Sequence, residues 1–97
     1  MNSYDCYTLR HNLYTKSEAL RAELDEAEDA DREAWNWYDS LTEEEYRACA
    51  DEADRKVDET SVRCRILRTY VDEVEIALRR LESVENSLGY LEAEGLI

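Results

Sequence analysis

The feature that most constrains this chain is an apolar series spaced alternately three and four residues apart. It runs Ala50, Ala53, Val57, Thr60, Cys64, Leu67, Val71, Val74, Leu78, Leu81 and Leu88, with Glu85 the only charged member. A 3.5-residue repeat held this long keeps one stripe of a helix facing a single direction, as in a coiled-coil seam. It predicts one helix from about Glu43 to Leu88. The chain has no proline, and its two glycines are Gly89 and Gly95, so Gly89 is the first residue suited to end that helix. Residues 89–97 are then a short tail.

Upstream, Cys6, Leu13, Leu20, Ala27, Ala34 and Leu41 recur every seven residues, with Leu9, Leu24, Ala30, Trp37 and Tyr38 between them. This predicts a first helix over about 3–40. Thr15 and Glu18 have the spacing of a capping box and allow a separately capped start. At Thr42-Glu43-Glu44-Glu45 the same signature opens the second helix. The threonine oxygen accepts from an orphan backbone N–H, Glu45 reaches back, and the glutamates sit at the positive end of the helix dipole. With a turn at 40–42, the fold class expected is all-α, an antiparallel two-helix coiled-coil hairpin in one domain. A reversal centred near Leu41 pairs residues whose numbers add to about 82.

That register sets Cys6 opposite residue 76, Cys49 opposite Glu33 and Cys64 opposite Glu18. Cys49 and Cys64, on one helix, lie about 22 Å apart at 1.5 Å per residue, beyond the reach of a disulfide. Three cysteines without a CxxC or metal-ligand spacing point to reduced thiols and a cytoplasmic protein. No apolar run resembles a signal peptide or a membrane span. The register also leaves Val84, Leu88, Tyr90, Leu91, Leu96 and Ile97 without a facing helix. Tyr70, Ala77, Val84 and Leu91 form a further apolar row at seven-residue spacing. Tyr70, Ala77, Val84, Leu88 and Leu91 are therefore the expected oligomerisation residues, joining two chains into a helical bundle.

The net charge is −13, and it is unevenly placed. Residues 18–59 carry 17 acids against 5 bases, whereas 1–17 carry one acid against two bases and 60–97 carry 7 against 5. Nucleic acid and anionic membrane both repel such a surface, so neither is an expected direct partner. A basic protein surface is. The alanine-rich seam near the turn lets helices approach closely while burying little area, so folding and self-association are expected to draw on the Leu-, Val-, Ile- and Tyr-rich far end.

The opening of the second helix lies beside both tryptophans. Trp37 falls on the seam and is expected to plug the turn end. Trp35 lies about 100° off the main row and is expected to anchor a partner. The expected partner-binding set is Asp31, Trp35, Asp39, Glu43, Glu44, Glu45 and Asp51. Buried aromatic anchors commonly carry much of the binding energy of an interface.

Catalysis is not expected. His11 is the single histidine and has no acid at Glu-x-x-His spacing, and no HExxH, P-loop or nucleophile elbow occurs. The run from Asp25 to Glu33 lacks the glycine and ligand alternation of an EF-hand, so neither metal nor cofactor is expected. Rows of carboxylates on two helices can instead imitate the phosphates of a duplex and fill a basic groove. In size and charge the chain resembles the small acidic anti-restriction and anti-CRISPR proteins of phages, which implies an inhibitor of a nucleic-acid-handling complex. The alternative is a coiled-coil adaptor or secretion partner binding through its apolar end. The hairpin length, a tryptophan before the turn and Tyr90-x-x-x-Glu94 resemble the WXG100 secretion proteins. Trp35-Asn36-Trp37 stands where that family has Trp-x-Gly, so the family is not assigned.

Overall fold

A computed structural model describes residues 2–97. They form two helices, α1 (Ser3–Ser40) and α2 (Glu43–Ala93), joined by Leu41 and Thr42. The pair divides into two compact units: a turn-end unit, Arg21–Thr69, and a terminal unit made of residues up to Leu20 with Tyr70–Ile97. Within each unit the two helices run antiparallel.

The helix ends follow from local chemistry. Asn2 and Asp5 cap α1 reciprocally: the Asp5 N–H donates to Asn2 Oδ1 at 2.9 Å and the Asn2 N–H to Asp5 Oδ2 at 3.3 Å. Thr15 starts nothing. Its hydroxyl donates back to the His11 carbonyl at 3.2 Å inside an unbroken helix. At the other end of α1 the Leu41 N–H reaches the Tyr38 carbonyl, tightening the last turn.

The C-terminus of α2 corrects the sequence reading. Gly89 continues the helix, because its neighbours supply enough side-chain contact to carry a residue that merely weakens a helix. Gly95 ends it, with φ 72°. The Leu96 N–H donates to the Leu91 carbonyl at 2.9 Å and the Gly95 N–H to the Glu92 carbonyl at 3.1 Å, a Schellman motif. The expected tail is thus helical as far as Ala93.

The seam of α2 is where the spacing predicts. Ala53, Val57, Cys64, Leu67 and Val71 are buried, and Ala50, Thr60, Val74, Leu78, Leu81, Glu85 and Leu88 are half-buried. On α1, Cys6, Ala27 and Ala34 are buried and Leu13, Leu20 and Leu24 half-buried, as is Leu41 just beyond it, while Leu9 and Ala30 are exposed. The row interleaved with the sevenfold series is Arg10, Ser17, Leu24, Asp31 and Tyr38, all at least half-buried. Its three polar members hide it from a reading based on apolar spacing.

Most of the buried apolar side chains lie in the turn-end unit: Ala27, Ala34, Ala53, Val57, Cys64 and Leu67, against Cys6 and Val71 in the terminal unit. Small residues let backbones close on each other and exclude water, whereas larger ones hold two lone helices apart and keep an exposed edge.

The register also differs. Asp31 meets Thr60 and Ser61, and Arg10 meets Glu85, where a reversal centred on Leu41 would set Asp51 and Asp72 opposite them. The reason is a kink inside α2 at Cys49 (φ −136°, ψ 27°). The turns Glu43–Ala48 form a corner, and the chain is redirected along α1 only after Cys49. The Cys49 Sγ donates to the Glu45 carbonyl at 3.2 Å, a back-bond of the kind that accompanies helix bending. With the register displaced, Ser3 meets Glu92, its N–H donating to Oε1 at 3.0 Å and its hydroxyl to Oε2 at 2.7 Å. Helix α1 therefore covers α2 well past residue 81. Of the residues expected to lack a facing helix, Leu88 and Leu91 are half-buried, whereas Val84, Tyr90, Leu96 and Ile97 are exposed.

Candidate functional site

The acidic corner is built by the cap. The Thr42 N–H donates to Glu45 Oε1 at 3.0 Å, and the Glu45 N–H donates to Thr42 Oγ1 at 3.1 Å. The backbone N–H of Thr42, then its side chain, hold the Glu45 carboxyl below the usual carboxylate range. Glu43 pairs with Arg47 one turn on. Glu44, Asp39 and Asp51 are exposed. Asp51 borders a hollow of about 340 Å³ with Arg47, Cys49 and Glu52, at the kink.

Asp31 and Trp35 sit elsewhere than the sequence suggests. Asp31 is half-buried between the helices, and its Oδ1 accepts from Thr60 Oγ1 at 2.7 Å and Ser61 Oγ at 2.9 Å. Trp35 is 41 % exposed, its Nε1–H donates to Ser61 Oγ at 3.3 Å, and it meets Tyr38 edge-on at 5.4 Å. Trp37 is half-buried under the Lys56 ammonium, 4.5 Å from the ring centroid. The two indoles therefore flank the seam, and Tyr38 occupies it.

Tyr38 leads to a group that apolar spacing does not reveal. Its hydroxyl donates to Asp54 Oδ1 at 3.1 Å, as does that of Tyr46, which stands edge-on to Tyr38. Asp54 thus ties α1, the corner before Cys49 and the helix after it. Hydrogen bonding to Tyr38, then to Asp54, pushes the Tyr46 phenol up to about 12. The only sequence signal for this group is two tyrosines bracketing the turn, which by themselves do not identify the carboxylate they share.

Of the expected oligomerisation residues, Tyr70 and Val84 are exposed, while Ala77, Leu88 and Leu91 are half-buried within the terminal unit. Burial, then the Asp31 carboxylate, raises the Cys64 thiol, which disfavours its reactive thiolate. Among the described residues no disulfide forms, no cluster of three His, Cys, Asp or Glu is placed to hold a metal, and no helix is long and apolar enough to cross a membrane.

Asp39, Glu43, Glu44 and Asp51 are thus exposed carboxylates on a capped and cross-braced helical frame. No protein-family model, curated protein or solved structure matches this chain.

Proposed function

We propose that this chain is a non-catalytic binding protein whose acidic corner occupies a basic, nucleic-acid-binding surface of a protein target and blocks it. The observation that carries this reading is the exposure of Asp39, Glu43, Glu44 and Asp51 around one corner, with Arg47 the base paired among them. A like-signed cluster of carboxylates steers a basic partner to itself. Asp31 belongs to the frame in this reading, and Trp35 acts at the edge of the contact.

The test is capture of a soluble partner, elution in a salt gradient, and competition with duplex DNA or RNA. A nucleic-acid-binding partner that elutes early and is displaced by duplex supports the reading. So does loss of binding in the Glu43→Gln, Glu44→Gln, Asp51→Asn variant, which leaves the Glu45 cap intact. A partner that survives high salt and ignores that variant overturns it. The adaptor reading rests on the exposed aromatics Tyr4, Tyr7, Tyr14 and Tyr90 of the terminal unit, and salt-resistant binding lost on Tyr7→Asp would favour it.

A further inference from the structure

Opposite the seam, on the outer face of α2 in the turn-end unit, Val62 and Ile66 are 41 and 47 % exposed. They floor an open groove of about 420 Å³ bordered by Asp58, Glu59, Arg63 and Leu67. The acidity stops here: residues 58–69 hold two acids, Asp58 and Glu59, and three bases, Arg63, Arg65 and Arg68. This apolar strip has locally balanced charge, in a chain whose net charge of −13 repels its own copies elsewhere.

The order of those charges selects an occupant. At about 100° per residue, Glu59 and Arg63 fall on one flank of the Val62–Ile66 line, and Asp58 and Arg65 on the other. When two copies of a helix meet antiparallel about a two-fold axis, each flank faces its own counterpart with residue order reversed. An axis passing near Ser61 and Val62 then sets Glu59 against Arg63 of the second copy, and Asp58 against Arg65, around a Val62–Val62 contact. A parallel pair would instead set opposite flanks together, with Asp58 level with Glu59 of the second copy and Arg63 near Arg65.

We propose that the Val62–Ile66 face is a self-association surface, on which a second copy docks its own α2 antiparallel. Glu59 is held loosely in its own chain, 3.9 Å from Arg55, and is available to Arg63 of the second copy. Three helical turns bury less than the roughly 800 Å² per partner of a standard interface, so the dimer is weak and concentration-dependent. The proposal is independent of what the acidic corner binds. Antiparallel docking leaves the two corners pointing apart.

Sedimentation equilibrium of the full chain, from micromolar to near-millimolar concentration, tests it, with helicity of each variant checked by circular dichroism. A monomer–dimer equilibrium is expected. Arg63→Glu should raise its dissociation constant about tenfold, since two-fold symmetry turns two attractive pairs into two repulsive ones. The swap Glu59→Arg with Arg63→Glu should restore it to within about threefold, and Val62→Asp should abolish the dimer. A monomer at every concentration, a dimer indifferent to Arg63→Glu and Val62→Asp, or a swap that fails to restore association would each overturn the proposal.

Discussion

Arg10 and Glu85 face each other across the terminal unit, with the Arg10 Nε–H donating to Glu85 Oε2 at 2.7 Å, and Glu85 is the one charged residue in the seam of α2. A charge in a seam is tolerated only opposite its complement, so the pair pins the register. Glu85, more than anything else near it, holds the Arg10 guanidinium above its ordinary range. Removing one partner leaves a half-buried charge unmatched, whereas removing both leaves an apolar contact. Arg10→Met and Glu85→Leu singly should each lower the melting temperature. The double variant should melt no lower than either single variant, and a thermal double-mutant cycle would show strict additivity if the pair does not interact.

Asp31 organises the middle of the turn-end unit through two hydroxyls. Asp31→Ala should destabilise the chain by about 1–3 kcal/mol in urea unfolding, because Ser61 loses its acceptor in a half-buried place and Thr60 exchanges a charged acceptor for the Lys56 and Val57 carbonyls. Asp31→Asn, which keeps a carbonyl oxygen, should cost less. Equal losses for the two variants would mean that these hydrogen bonds do not matter.

Gly89, inside α2, and Gly95, just past its end, have opposite requirements. A Cβ on Gly89 would meet nothing within 4 Å, so Gly89→Ala should stabilise by about 0.5–1 kcal/mol through lower chain entropy. Gly95 at φ 72° holds a conformation that an L side chain resists, and Gly95→Ala should cost about 1–2 kcal/mol. Chemical denaturation of the two variants should therefore move the midpoint in opposite directions.

Tyr46 should be visible as a late-titrating phenol. Its folded pKa is raised, to about 12 from an ordinary 10, so its contribution to stability is complete below pH 10 and disappears as pH rises through about 12. Absorbance near 295 nm should show a tyrosinate transition with that midpoint, and Tyr38→Phe should move it down. A midpoint unaffected by Tyr38→Phe would remove Tyr38 as its cause.

The elements and their inward faces can be read from the residues alone. The helix bounds 3–40, the start at Glu43, the Thr42–Glu45 cap and the seam from Ala50 to Leu88 all follow from local rules, because 3.5-residue spacing and capping chemistry act within a few residues. The exposed carboxylates of the corner were legible for the same reason. The pairing between helices cannot be read that way, because it depends on how the chain turns back on itself. One residue at the kink, Cys49, displaces the register, and with it the neighbours of Asp31, Trp35, Leu88 and Leu91. The polar row Arg10, Ser17 and Asp31 is equally silent in an apolar pattern, since whether a charge belongs in a seam depends on what the other helix brings opposite it. Gly89 stays helical and Gly95 does not because the α1 residues facing that stretch, from Ser3 to Arg10, hold the helix together as far as Ala93.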